Sequence, residues 1–162
     1  GASEYLATIH ATVAGKPPQV DFDLERCVQA VCREGIQQSW IKSAHDVAEG
    51  GLAIALAEAC ISTGLGAEIN LGLTDNLPQR WDEILFGEGG ARILVSVSPE
   101  HQQQWESYIT EQLGENWQKL GQVGSHNADL RVFTTDQPTV LTATIKMMCD
   151  RFFNAIERRL SV

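Results

Sequence analysis

The sequence predicts an α/β fold of the α+β kind, a mixed β-sheet with helices packed on its faces. Three observations carry this. Short runs at 67–71 and 93–98 alternate with period two, Ala67, Ile69 and Leu71 against Glu68 and Asn70, and Ile93, Val95 and Val97 against Leu94, Ser96 and Ser98. Longer stretches between them repeat apolar residues at helical spacing. The alternation of helices and strands lacks the regularity of successive βαβ units, which favours a mixed sheet over a parallel one.

Residues 3–14 read as a helix with Ser3 as N-cap, Leu6, Ile9, His10 and Val13 on one face, and Gly15 as the stop. Lys16-Pro17-Pro18 imposes an extended link. Asp21 or Asp23 caps a second helix, whose stripe of Leu24, Cys27, Val28, Val31 and Ile36 runs to about Gln38. A short strand at 40–44 leads into a turn at His45. The helix at 52–63 carries apolar residues on both faces and Glu58 almost as its only charge, so it is expected to be buried nearly all round. Gly64 and Gly66 end it, and the 67–71 strand follows. Pro78 opens a short helix through Phe86, stopped by Gly87. After the 93–98 strand, Pro99 precedes a helix at 100–113. Strands near 118–123 and 130–134 flank a turn at 124–127. The last segment, 140–160, reads as one amphipathic helix with Leu141, Ile145, Met148, Phe152, Ile156 and Leu160 on its docking stripe.

With 162 residues, 43% of them apolar, residues 1–162 are expected to form a single domain. Twelve basic against twenty-one acidic residues give a net charge of -9, which disfavours nucleic acid and anionic membranes as partners. The longest apolar stretch, 50–61, is too short to span a bilayer. The chain starts at Gly1 without a charged-then-apolar leader, as expected of a processed or excised piece. Cys27, Cys32, Cys60 and Cys149 lack CxxC spacing and nearby His partners, so they are expected to be reduced, mostly buried thiols, in keeping with a cytoplasmic location.

Two segments concentrate the chemistry. In the first, His45 offers an imidazole able to carry a proton, Asp46 and Glu49 are able to hold a metal or a proton, and Gly50 and Gly51 allow a backbone or phosphate to come close. The same residues also match a capping box, with Asp46 as N-cap and Glu49 three residues on. A phosphate here would meet two carboxylates, so a divalent cation would have to intervene. The second segment, Gly87-Glu88-Gly89-Gly90-Ala91-Arg92, is a glycine-rich loop between a helix and a strand. It lacks the Lys-Ser/Thr ending of a P-loop and precedes a strand instead of a helix. Arg92 is suited to grip a carboxylate or phosphate, or to pair with Glu88. No Ser or Cys nucleophile is marked out beside His45. His10, His101 and His126 sit in helix or turn contexts suited to surface or packing roles.

Three stretches carry a resemblance to a known family: Gly1-Ala2-Ser3-Glu4-Tyr5-Leu6, Ser43-Ala44-His45-Asp46-Val47-Ala48-Glu49-Gly50-Gly51-Leu52-Ala53, and Leu85-Phe86-Gly87-Glu88 with Arg92. In these the chain resembles the second C-terminal-type domain of the small form of the phosphoribosylformylglycinamidine synthase family, a relative of aminoimidazole ribonucleotide (AIR) synthetase and selenophosphate synthetase. The resemblance implies a fold like the AIR synthase C-terminal domain and a place as the last quarter of a pseudo-dimeric synthetase chain.

It further implies a carbon–nitrogen ligase of purine biosynthesis. ATP activates the formamide oxygen of formylglycinamide ribonucleotide as an iminophosphate, and ammonia from a separate glutaminase subunit displaces phosphate. The implied partners are the remaining domains of the same chain, the glutaminase subunit and a small accessory subunit. ATP and Mg²⁺ belong to the full-length enzyme, whose catalytic histidine, ATP lysine and most Mg²⁺ carboxylates lie in N-terminal-type domains. No catalytic or metal-ligating residue is therefore assigned to this chain. The substrate or nucleotide candidates are His45, Asp46, Glu49, Gly50, Gly51, Glu88, Gly89, Gly90 and Arg92. Gly89-Gly90-Ala91 departs from the polar Ser-Gln continuation of the family's substrate loop, which implies a half-site that has lost or changed its ligand. The alternatives are another member of the ATP-dependent group and a non-catalytic structural or interaction module.

Overall fold

The structure is a computed structural model that describes residues 3–72, 80–135 and 138–160. Gly1, Ala2 and Pro78, on which two of the sequence readings rest, lie outside the described residues. The chain forms two compact units: Gly1–Ala55 with Asp82–Lys119, and Leu56–Trp81 with Leu120–Val162.

In the first unit, helix α1 is Glu4–His10, α2 is Phe22–Gln37, β1 is Ile41–Asp46, α4 is Trp81–Phe86, β3 is Ile93–Val97 and α5 is Gln102–Leu113. The helix α3, Gly51–Thr63, begins here and continues into the second unit. β1 and β3 form an antiparallel two-stranded sheet, and Ser43 Oγ meets Ser96 Oγ across it at 2.6 Å. Ile41 packs with Val28 and Val31 of α2 and with Trp105, Ile109 and Leu113 of α5. Because α2 and α5 each present a stripe at helical spacing, the sheet gains an apolar cover on one face. Asp21 caps α2 as predicted, its Oδ1 accepting from Asp23 N and Leu24 N at 3.0 Å.

The second unit holds the four-stranded mixed sheet. Strands β2 (Leu65–Asn70), β4 (Gly121–His126), β5 (Leu130–Phe133) and β6 (Leu141–Ala143) lie in the order β4-β2-β5-β6. Only β2 and β5 run parallel. Ala67, Ile69 and Leu71 are buried and Glu68 is exposed, as the alternation predicts. The buried all-round character predicted for α3 also holds along most of it, with Ile54 and the final Ser62 and Thr63 exposed. All four cysteines are free thiols. Burial pushes the Cys60 thiol up, and that of Cys32 too, where Arg33 opposes the shift.

Four readings are corrected. The first helix stops at His10, where Ala11 adopts a left-handed φ of 49°, and it buries none of its residues. Ile9 and Val13 of its stripe are exposed, so packing does not extend the helix to Gly15. The strand predicted at 40–44 continues through His45 and Asp46, because β3 offers Leu94 and Ile93 as partners. The strands predicted near 118–123 and 130–134 are not hairpin neighbours. β4 runs on to His126, Asn127 turns the chain at φ 59°, and the more apolar β2 takes the place between β4 and β5. Finally, 140–160 is not one helix. Leu141–Ala143 pairs with β5, Thr144 caps α6 (Ile145–Phe153) by accepting from Met147 N at 3.1 Å, and Asn154 separates α6 from α7 (Ala155–Leu160).

The joint between α6 and α7 is tied by Asp150, whose carboxylate accepts from Asn154 Nδ2 at 2.8 Å and pairs with Arg158. The Asn154 bond, followed by Arg158, holds this carboxyl below its usual range. Its stabilisation is therefore present above the unfolded carboxyl value and is lost as pH falls through the lower folded value. Acidification below about pH 4 is expected to lower the protection of the α7 amides relative to their unfolded exchange rates, and Asp150→Asn is expected to remove that pH response. An α7 exchange profile with the same acid response in Asp150→Asn would contradict the assignment.

Candidate functional site

The structure brings the two sequence-predicted segments side by side within the first unit. Val47, buried directly after β1, donates its N–H to the carbonyl of Arg92 at 3.0 Å. Gly50 N donates to Glu88 Oε1 at 3.0 Å. Gly51 sits so close to the end of α4 that a Cβ there would lie 2.8 Å from the carbonyl oxygens of Leu85 and Gly87. The turn 47–50 and the loop 87–92 thus share one wall, built by the end of α4, the start of α3 and the opening of β3.

Glu88 is the centre of this arrangement. Its Oε1 accepts from Gly50 N, just before α3, and from Glu4 N, the first residue of α1, each at 3.0 Å. Both are amides at helix starts, where the backbone has donors to spare and a positive partial charge. Glu88 thereby supplies from a separate loop the reciprocal contact that a capping box makes from its own helix. Tyr5 adds to the tether, its ring stacked on that of Phe86 with centroids 4.7 Å apart.

This corrects the capping reading of the first segment. Asp46 is the last residue of β1, five positions ahead of α3, and both Asp46 and Glu49 are exposed. His45 turns its Nδ1–H onto the carbonyl of Asp46 at 2.7 Å, with the Asp46 carboxylate 3.8 Å away. Arg92 likewise departs from expectation. Its guanidinium donates to Gly87 O at 2.6 Å and so closes the glycine loop on itself instead of reaching for Glu88. Burial lowers the Arg92 pKa, yet a guanidinium stays charged. Gly89 is half-buried and Gly90 exposed.

Glu25 of α2 was not singled out by sequence. Its carboxylate accepts from Ala91 N in the left-handed residue of the loop, at φ 55°, and a Cβ on Gly90 would lie 2.4 Å from Glu25 Oε1. No local signal could have found it, since the partner is 66 residues away and the visible helical neighbour of Glu25 is Gln29.

Chemically, the wall is rich in carboxylates and poor in cations. Glu25 and Glu88 are committed to backbone amides, and Arg92 to a carbonyl. Among the described residues, no group of three or more His, Cys, Asp or Glu is placed to hold a metal ion. What the arrangement does well is fix α1, α3 and β3 relative to one another. Glu88→Ala is expected to lower stability by about 1–2 kcal/mol, since it strips two helix-start amides of a charged acceptor. Asp46→Ala is expected to stay within about 0.5 kcal/mol. Urea melts of the two variants test this, and a larger loss in Asp46→Ala than in Glu88→Ala would reverse the assignment of the cap.

Comparison with known proteins places these features. Residues 1–132 match the family described as AIR synthase related protein, C-terminal domain. Over all 162 residues the chain is 63% identical to the phosphoribosylformylglycinamidine synthase subunit PurL of Trichormus variabilis, covering 100% of this chain and 21% of that relative. It is 62% identical over 161 residues to the same subunit of Nostoc punctiforme, covering 99% of this chain and 20% of the relative. The chain thus spans about a fifth of the length of these curated relatives. Among solved structures it is similar to Thermotoga maritima PurL complexed with ATP, with a TM-score of 0.67 and 20% identity over 81% of this chain and 23% of that one. The structure of PurLQS from the same organism gives a TM-score of 0.67 and 19% identity over 92% of this chain and 24% of that one. At such identities the structural likeness concerns the fold, and it agrees with the mixed α/β architecture expected from sequence.

Proposed function

The chain belongs to the AIR synthase related protein, C-terminal domain family, and from that membership we propose that residues 1–162 act as the second C-terminal-type domain of a larger ATP-dependent carbon–nitrogen ligase. In this reading the larger protein converts formylglycinamide ribonucleotide, ATP and glutamine-derived ammonia to formylglycinamidine ribonucleotide in purine biosynthesis. The observation that carries it is the 63% identity over the whole chain to relatives named phosphoribosylformylglycinamidine synthase subunit PurL.

The domain's part is structural. Glu88 holds the amides of Gly50 and Glu4, Arg92 holds the carbonyl of Gly87, and Asp46 and Glu49 are exposed. ATP and Mg²⁺ would then be held mainly by the other domains of the same chain. Ammonia would arrive from a glutaminase subunit assisted by a small accessory subunit. A cytoplasmic location suits this chemistry, and among the described residues no helix is long and apolar enough to cross a membrane.

The full-length protein, assayed with formylglycinamide ribonucleotide, ATP, Mg²⁺ and ammonia, is expected to form ADP and the amidine. Background ADP formation alongside turnover of an AIR synthetase or selenophosphate synthetase substrate would overturn the reading. The 162-residue chain alone is expected to bind Mg·ATP weakly or not at all in titration calorimetry. Micromolar binding lost in Asp46→Ala at unchanged thermal stability would instead make the His45 segment a self-sufficient site.

A further inference from the structure

Ala91 carries a side chain and yet holds a left-handed φ of 55°. Such a conformation persists in a residue other than glycine only where its surroundings enforce it, and it collects at ligand clamps. Here the enforcing contact comes from α2: the Ala91 N–H donates to Glu25 Oε1, 66 positions earlier. The other carboxylate oxygen of Glu25 accepts from Gln29 Nε2 at 3.4 Å, one turn further along the helix, so the group is aimed at the loop from its own element. Gly90 makes the room for it, since a Cβ there would strike Glu25 Oε1. On its remaining side the loop is open. Gly90 is exposed, and a Cβ on Gly89 would meet nothing nearer than Pro18 Cβ at 4.0 Å. Arg92 follows directly, and among the described residues its guanidinium is paired with a neutral carbonyl, Gly87 O, and with no carboxylate. A glycine turn with a left-handed amide donor and an adjoining guanidinium is a donor set for an oxyanion.

We propose that Glu25 is an intramolecular plug: its carboxylate fills an oxyanion site built around the Ala91 amide beside Arg92, and a phosphate group takes that site only when the plug is withdrawn. The donors are N–H groups, which suit an anion and not a metal cation. Phosphate fits better than a second carboxylate, because Gly89 and Gly90 leave space for the further oxygens of a tetrahedral group and the arginine fork matches it. In the parent the plug wins, since a tethered carboxylate has a high effective concentration and its charge repels a second anion. It would act in the same way whatever reaction the longer protein performs.

Hydrogen exchange resolved to the loop tests this on the full-length protein, with inorganic phosphate as the probe and with the parent, Glu25→Ala and Glu25→Gln compared. Alanine removes the plug and suits a helix, whereas glutamine keeps its length and leaves a neutral group that an anion is able to displace. Phosphate is expected to slow the amides of 88–92 about tenfold in Glu25→Ala, by a smaller factor in Glu25→Gln, and not at all in the parent. Because the readout is confined to 88–92, phosphate bound elsewhere in the longer protein does not enter it. A loop that exchanges faster in Glu25→Ala and ignores phosphate would make Glu25 a brace and overturn the proposal. Equal slowing in the parent would do the same, as would slowing reproduced by chloride at matched ionic strength. Slowing by acetate with none by phosphate would make the ligand a carboxylate and overturn the assignment of the anion.

Discussion

Gly51→Ala is expected to destabilise the protein by about 3 kcal/mol, the sum of two separate effects. Gly51 sits at φ +70°, which costs an L-residue about 1–2 kcal/mol. A Cβ there would also lie 2.8 Å from Leu85 O, Gly87 O and Phe86 C. All three are backbone atoms, so no rotamer change relieves the contact, and either the end of α4 or the start of α3 must move. Such overpacking adds about 1–3 kcal/mol. Displacing α4 would in turn loosen the Glu88 contact to Gly50, so loss is expected to spread across the wall. Gly89→Ala is the control, because its nearest neighbour would be Pro18 Cβ at 4.0 Å. That variant is expected to stay within about 0.5 kcal/mol of the parent. Urea melts of the two side by side decide the matter, and a Gly51→Ala protein as stable as Gly89→Ala would show that α4 and α3 do not need this close approach.

How much of this was legible in the sequence depends on the range of the interaction. Local patterns held where their own neighbours settle them: Asp21 caps α2, and Ala67, Ile69 and Leu71 alternate into a core. They failed where a distant partner decided. Leu141 fits a helical stripe with Ile145, yet it pairs with Val132 in the sheet. The helix start then shifts to Thr144, whose hydroxyl provides the cap. In the same way, Asp46 and Glu49 have capping-box spacing, but β3 draws Asp46 into a strand and the carboxylate facing Gly50 comes from 38 positions away. Both segments of the wall were visible as glycine and carboxylate clusters. Their mutual contacts were not, since nothing in the local sequence says that Glu88 faces helix starts or that Glu25 grips Ala91.

Leu130→Ala is expected to cost about 3 kcal/mol, for reasons that the strand order supplies. The sequence marks 130–134 as a strand without saying where it lies. In the structure β5 runs between β2 and β6, and Leu130 is 1% exposed. Its register partners on either side are Ala67 and Ala143, side chains too short to swing into the space that the lost atoms would leave. The cavity therefore stays open, which places the substitution in the upper part of the range for Leu→Ala, about 2–5 kcal/mol. Leu130→Met keeps nearly the same volume in a flexible side chain and is expected to cost less than about 1.5 kcal/mol. If Leu130→Ala and Leu130→Met melted alike in urea, volume at this position would not govern stability, and the packing around β5 would have to be looser than its burial implies.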